Sequence, residues 1–393
     1  MKRLIILFAV IIITITAQAK SFDEILYDIA TNNPTLASSV AQNESEINSL
    51  KSENNLPDPE IGYEHKWGKE GAKWGVSVSQ SFEWPGAYSA RKKAINASTE
   101  AMEFLNKSNL LNKLVDIKLL LIDIVNLRKQ ITLVSQLESQ IDTLFLKYEQ
   151  GIHLGEVTKL DINKLKIEKI ALTRQNKSLK NQLDVLEATL LAENGGKDVS
   201  HILMELTTYP NETILPEEKY MQMLKENDPQ VAQFSSMAKA QELNSKALSM
   251  SKFPGFSLGY TLENELGTYF NGFSIGITIP AFSKRHKKNA IEASQKALSL
   301  QNKAYEIEKS AQLKVQRANA ISLLQEMEDY RPTIEDNDNF TLLKKALDGG
   351  QISLITYIQE VNFFLEAQQN YLDIEYRYHQ ALATLNKYLL LEK

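Results

Sequence analysis

The sequence predicts a membrane α+β protein made of two tandem copies of one unit, each giving two transmembrane β-strands and long coiled-coil helices. Three observations predict it. Segments recur 195 residues apart along nearly the whole chain. Four stretches alternate strictly between apolar and polar residues, the period of a strand with one apolar face. The segments between them keep heptad-like apolar spacings over lengths that no globular core holds.

Residues 1–19 read as a secretory leader, with Lys2-Arg3, an apolar run from Leu4 to Ile15, and Ala17-Gln18-Ala19 as a small-residue cleavage site. The run is shorter than the roughly 20 residues of a spanning helix, so the mature chain is expected to begin near Lys20. No other uninterrupted apolar run approaches that length, and a membrane role must come from β-strands. Of the 393 residues, 44 are Lys or Arg and 49 are Asp or Glu. The leader takes away two bases and no acid, and the negative balance argues against a nucleic-acid partner. The chain has no cysteine, hence no disulfide, thiolate metal site or Cys nucleophile.

Asn33-Pro34 returns as Asp228-Pro229, Trp84-Pro85 as Ile279-Pro280, and Ala94-Ile95-Asn96-Ala97-Ser98 as Ala290-Ile291-Glu292-Ala293-Ser294. The first copy is expected over 20–193, an irregular link over 194–215, and the second copy over 216–393. Each opens on a short helix; in the first, Ser21 is the N-cap and Glu24 completes a capping box ahead of Ile25, Leu26 and Ile29. After the proline comes a second helix, 35–55 and again 230–252. Two strands, a long helix (87–150; 284–349), a Gly-containing turn and a return helix (156–193; 354–391) follow. Helix 87–150 is about 96 Å long at 1.5 Å per residue. Helices 35–55 and 156–193 together nearly match it, so stacked end to end they run antiparallel beside it. Leu119, Ile122, Ile124, Leu127, Ile131, Val134, Leu137, Ile141 and Leu144 carry the coiled-coil spacing.

The strands are expected at about 60–67, 74–84, 256–264 and 272–280. In the first, Ile61, Tyr63, His65 and Trp67 alternate with Glu60, Gly62, Glu64 and Lys66. In the second, Trp74, Val76, Val78, Phe82 and Trp84 oppose Gly75, Ser77, Ser79, Ser81 and Glu83, and Gly68 to Lys73 reads as the loop between them. In the second copy Phe256, Leu258, Tyr260 and Leu262, then Phe273, Ile275, Ile277 and Ile279, form the apolar sets. A soluble half-buried sheet shows the same alternation. Export, duplication, aromatic residues toward the strand ends and arms too long for a compact domain favour a barrel wall instead. Four strands cannot enclose a lumen, and an open edge in lipid leaves backbone groups unsatisfied, so the sheet must close between copies. Three copies supply twelve strands, enough for a water-filled interior. Pro57, Pro59, Pro85, Pro254 and Pro280 stand where strand meets helix and set the angle of the join.

Trp84-Pro85-Gly86 leading into Arg91-Lys92-Lys93-Ala94, with Gly155-Glu156-Val157-Thr158 matched by Gly350-Gln351-Ile352-Ser353, resembles the TolC-type outer-membrane efflux factors. The segment SFEWPGAYSARKKA looks most like the heavy-metal, CzcC/CusC-like branch. The resemblance covers residues 20–393. It implies a homotrimer in the outer membrane of a Gram-negative bacterium: a twelve-stranded barrel in outer-membrane lipid, continued by a periplasmic α-helical tunnel. It implies a passive duct rather than an enzyme, with no cofactor, whose tip meets a periplasmic adaptor and an inner-membrane pump such as an RND transporter. Heavy-metal cations are then the cargo, with drug efflux and type I protein secretion as alternatives in the same class. A soluble periplasmic coiled-coil scaffold is the rival from outside it.

In that resemblance the tip turns, with Gly151, Gly155, Gly349 and Gly350, are where the channel gates. Asp161 takes the place of an acidic pore residue, whereas Thr356 stands at the equivalent place in the second copy and Gln359 where another Asp is often found. The three are the candidate constriction. Pro332 falls inside the second long helix opposite Leu137 of the first, and a helix-interior proline kinks the helix, which makes it a candidate hinge. No phosphate-binding loop, dinucleotide glycine pattern or His-x-x-x-His pair is present. His65, His153, His201, His286 and His379 are scattered and read as surface or interface residues. Glu263 and Glu265 share a strand face and read as pore lining.

Overall fold

The computed structural model describes residues 22–69, 71–152, 158–280, 286–335 and 339–391. The leader, Ser21 and Gly155 lie outside the described residues. Helices α1 (Phe22–Asn32) and α2 (Pro34–Ser52) lead into strands β1 (Glu60–Gly68) and β2 (Gly71–Phe82). The long helix α3 (Pro85–Ile152) and its return α4 (Lys159–Glu193) follow, then the short helix α5 (Ser200–Glu205). The order then repeats: α6 (Glu217–Asn227), α7 (Pro229–Met250), β3 (Gly255–Glu265), β4 (Thr268–Thr278), α8 (Lys287–Glu335), α9 (Asn339–Asp348) and α10 (Leu354–Leu385). A 3-10 turn, Lys387–Leu391, ends it.

The recurrent Asn-Pro and Asp-Pro pairs are helix starts. Asn33 caps α2, accepting from the Leu36 amide at 3.0 Å, and Asp228 caps α7, accepting from the Gln230 amide at 2.8 Å, each with proline at the first helical position. Both caps are buried because they are also the joints where two helices meet end to end. Asn33 donates to the Glu193 carbonyl at 3.0 Å, tying the start of α2 to the end of α4. Asp228 accepts from the Tyr388 hydroxyl at 2.5 Å and the Tyr305 hydroxyl at 3.0 Å, tying α7 to the 3-10 turn after α10 and to α8. Stacked in this way, α2 and α4 run along α3: Asn43 meets Asn106 at 2.5 Å on the sheet side, and Asn176 meets Glu138 at 2.7 Å farther on.

Side by side, the helices lie in the order α2, α3, α7, α8 next to the sheet, and α4, α3, α10, then α8 and α9 beyond the joints. The strand order is β1-β2-β3-β4. Sheet and helices therefore share their two edges: β1 continues α2 on one side, and β4 leads toward α8 on the other. The core follows α3, whose Leu111, Leu114, Ile117, Leu121 and Ile124 pack with α1, α6 and the chain's last turn. A second core near the far end joins α3 and α4 to α9 and α10 through Leu137, Ile141, Leu165, Leu347 and Tyr357.

Several boundaries differ from those read in the sequence. The first hairpin is tighter than a loop over Gly68 to Lys73, because Trp67 pairs with Ala72 and Gly68 with Gly71. The strand expected over 74–84 therefore starts earlier, and it stops at Phe82 because the Trp84 carbonyl already accepts from Ala87 in the first turn of α3. The fourth strand runs Thr268–Thr278 rather than 272–280, since its hairpin turns on Leu266 and Gly267 alone, at φ 51° and 85°. The return helix expected over 354–391 ends at Leu385, where the Asn386 side chain accepts from the Tyr220 hydroxyl at 2.7 Å. The link over 194–215 contains α5. The long helix expected over 284–349 is described as α8 and α9, with 281–285 and 336–338 outside the described residues.

Candidate functional site

Register decides what the sheet presents. Directly paired residues share a face, and the ladder aligns Ile61 with Val78, Val78 with Tyr260, and Tyr260 with Phe273. One face therefore carries Tyr63, Trp74, Val76, Phe82, Phe256, Leu258, Leu262, Ile275 and Ile277. It is open to solvent in the single chain: Ile61 is 77% exposed, Ile275 77% and Phe273 88%. Contiguous apolar surface on this scale marks an interaction face rather than a soluble exterior. Aromatic residues gather at both ends of it. Trp67, Trp74 and Tyr269 stand by the hairpin turns, while Trp84 stacks on Phe253 at 5.3 Å beside Phe256 at the helical end. Among the described residues, no helix is long and apolar enough to cross a membrane.

The opposite face is small and polar apart from Phe270 near the second hairpin. Ser77, Ser79, Ser81, Ser257, Thr261 and Ser274 alternate with glycines in register. At Gly259 a Cβ would fall 2.5 Å from the Ser274 hydroxyl and 3.3 Å from the Val78 carbonyl, so this face is closed to larger side chains there. Charge gathers toward the hairpins, where Lys73 lies 2.8 Å from Glu263 and 3.5 Å from Glu265, and Lys66 lies 2.8 Å from Glu64, with Glu60 at the helical end of β1.

The strand-to-helix joins hold the prolines. Pro57 and Pro59 precede β1, Pro254 precedes β3, Pro85 is the first residue of α3, and Pro280 follows β4. Sequence reasoning missed what locks the first join. Glu83 donates its amide to the Tyr88 hydroxyl at 3.1 Å, and its carboxylate accepts from Arg91 at 2.7 Å, so the basic motif reaches back across Pro85. Gln80, a polar residue on the apolar face, is satisfied by the Pro57 carbonyl at 2.6 Å. The signal was present in the spacing of Glu83 and Arg91, which is legible only once Pro85 is known to start a helix.

At the far end the structure brings the last turns of α3 and α9 together, while 153–157 lie outside the described residues. Gly151 is buried in the last turn of α3. Gly349 and Gly350 close α9: the Gly350 amide donates to Leu347 at 3.0 Å and the Gln351 amide to Ala346 at 2.8 Å, a Schellman turn that needs the φ of 66° at Gly350. Lys147 of α3 and Asp348 of α9 pair at 2.7 Å, joining the two arms. This hydrogen bond holds the Asp348 carboxyl below its ordinary range and the Lys147 ammonium above its own. Asp161 is the third residue of α4. Its carboxylate accepts from the Thr158 hydroxyl at 2.5 Å and amide at 3.3 Å, a complete capping box. Thr356 holds the same position in α10, with Ser353 as the cap, while Gln359 is exposed one turn on. Pro332 lies within α8, apart from the strand joins. No group of three or more metal-ligating side chains occurs among the described residues.

No protein-family model and no curated protein matches the sequence. Solved structures match nearly its whole length. The *Campylobacter jejuni* CmeC outer membrane channel superimposes with a TM-score of 0.74 at 14% identity, over 93% of this chain and 84% of that one. CusC, described for the folding and formation of its transmembrane channel, gives 0.72 at 12% identity, over 93% and 91%. A *Pseudomonas aeruginosa* membrane protein gives 0.74 at 14% identity, over 93% and 89%. The chain therefore has the fold of these outer-membrane channels, built from long helices and a small antiparallel sheet.

Proposed function

We propose that the chain is one protomer of a homotrimeric outer-membrane duct, the passive exit of a tripartite efflux system. The observation that carries this reading is the sheet: one face largely apolar in register across all four strands, the other largely small and polar, both edges unpaired among the described residues. In lipid the free edges of β1 and β4 must be satisfied, and β4 of one copy against β1 of the next closes twelve strands around water. The helix edges ask for the same neighbour. Ile167 and Ile170 of α4 and Ile307 and Val315 of α8 are exposed apolar residues on the two sides that the sheet edges share. Extraction of outer membranes with detergent should yield a trimer that conducts in planar bilayers; a soluble periplasmic monomer would overturn the reading.

The tip is the proposed meeting place with a periplasmic adaptor and an inner-membrane pump, and Gly151, Gly155, Gly349 and Gly350 its turns. Asp161, repeated three times, would bias the constriction toward cations, with Thr356 and Gln359 the uncharged counterparts. The capping box makes Asp161→Asn the informative change, since it removes charge and keeps an acceptor for the Thr158 amide. Unchanged cation preference in that variant would end the idea. Pro332 is the proposed hinge of the second arm, and equal open probability in Pro332→Ala would remove it. Heavy-metal cargo rests on the resemblance of SFEWPGAYSARKKA alone. Growth of a deletion strain on graded metals and dyes separates metal from drug export.

A further inference from the structure

The link between the repeats lies against the helices as a strap. Arg128 donates to the carbonyls of Leu203 and, at 3.0 Å, Leu206; Lys118 pairs with Glu212; Asn386 donates to Thr213 at 3.2 Å; Arg317 donates to Leu215 at 3.0 Å. Three of these four donors are cations. Near the middle of the strap Tyr209 lies flat on His379 of α10, ring centres 4.3 Å apart and planes 15° from parallel, and the Lys129 ammonium stands 4.7 Å from the Tyr209 ring centre. His379 Nδ1 and the Tyr209 hydroxyl are buried, and neither has a hydrogen-bond partner among the described residues.

We propose that residues 206–216 are a strap that acid releases from the helices, with His379 as the residue that senses the acid. The charges that act on that ring are the cations Lys129 and Lys118, and carboxylates surround its ring neighbours Tyr209 and Tyr378. From α3 come Lys118, Lys129 and Asp123; from the strap, Tyr209 and Glu212; from α10, Glu375, Tyr376 and Tyr378; from α8, Glu328 by way of Tyr378. Three of the carboxylates are engaged: Glu375 by Lys129 at 2.7 Å, Asp123 by the Tyr376 hydroxyl at 2.9 Å, and Glu212 by Lys118 through one oxygen, while its Oε2 is buried without a partner among the described residues. A proton on His379 would put another cation in a site that already holds the Lys129 and Lys118 ammonium groups.

Burial, reinforced by these two ammonium groups, lowers the His379 imidazole from 6.5 to about 4. Released from the strap it regains water and its ordinary value. The released state then takes up the proton first as pH falls below 6.5, and release grows until the docked ring also titrates near 4. Linkage gives about 30-fold more release at pH 5 than at pH 7.5.

Hydrogen exchange on the full chain in detergent, corrected for the intrinsic pH dependence of exchange, tests this. Protection of 207–215 should fall about 30-fold from pH 7.5 to 5 while that of α4 holds. His379→Phe, which keeps a flat ring under Tyr209 and cannot titrate, should show no such fall. The proposal is overturned if strap protection is independent of pH, if α4 loses protection in step, or if the Phe variant keeps the full fall. Should that variant not fold, the wild-type profile decides: onset between pH 6.5 and 4 supports His379, and onset only below 4 assigns the effect to carboxylates.

Discussion

The two long helices occupy matching places in the repeat and live in different surroundings. Residues 110–127 of α3 read LLNKLVDIKLLLIDIVNL, and the aligned residues 305–322 of α8 read YEIEKSAQLKVQRANAIS. The first can be buried on several sides, and α3 is: α2 and α4 flank one side, α7 and α10 the other. The second buries Leu313 and Ala320, a row that Leu323 continues just beyond it, and leaves Ile307 and Val315 exposed. Duplication supplied two equal helices. Their environments diverged because a layer four helices wide has a middle and two edges, and a protomer whose edges keep apolar residues is built to meet another copy.

The largest effect should come from the middle. Lys118 is 0% exposed and pairs with Glu212, so Lys118→Ala strands a carboxylate against the core and should cost about 3–5 kcal/mol, read as loss of the helical signal in denaturant. Leu121→Ala, also in α3, should cost about 2–5 kcal/mol by leaving a cavity. Val315→Ala on α8, at an exposed site, should change protomer stability by less than about 0.5 kcal/mol. Val315→Asp should nonetheless lower the trimer fraction on size exclusion. Equal stability losses at Leu121 and Val315 would break the contrast between middle and edge.

The paired caps sharpen it. Asn33→Ala and Asp228→Ala each remove an N-cap worth about 0.5–2 kcal/mol. Asp228→Ala should cost more, because it also strips the acceptor from the hydroxyls of Tyr388 and Tyr305. The smallest effect belongs to the exposed Lys147–Asp348 tie. Because Asp348 is held below its ordinary value, the tie should persist through neutral and mildly acid solution and be lost only as pH falls through that lowered value. Cross-linking of the two tips as a function of pH reads this directly.

Much of the sheet was legible before any coordinates. Period-2 alternation in four segments names the apolar set because one strand face is one set of alternate residues, and pairing only had to align them. Gln80 broke the pattern, and its partner, the Pro57 carbonyl, comes from the segment leading into β1. The hairpin ends were misjudged because Leu266 adopts a positive φ that no residue rule assigns to leucine. At the tip, Asp161 reads equally as a solvated acid, a pore charge or a cap. Thr158 stood three residues away as the clue to the cap. His379 reads in the sequence as a surface or interface residue, whereas its Nδ1 is buried under a strap about 170 residues upstream.

The central claim is that the edges of one copy close on those of the next. The chain has no cysteine, so engineered pairs are unambiguous. Within one chain β1 and β4 are separated by β2 and β3, about 14 Å at normal strand spacing, too far for a disulfide. Oxidising membranes that carry Glu64→Cys combined in turn with Gly272→Cys, Ser274→Cys or Gly276→Cys should give, for at least one pair, a ladder of covalent dimer and trimer that stops at three. No cross-link at any pair, or a ladder that continues past three, would contradict the account.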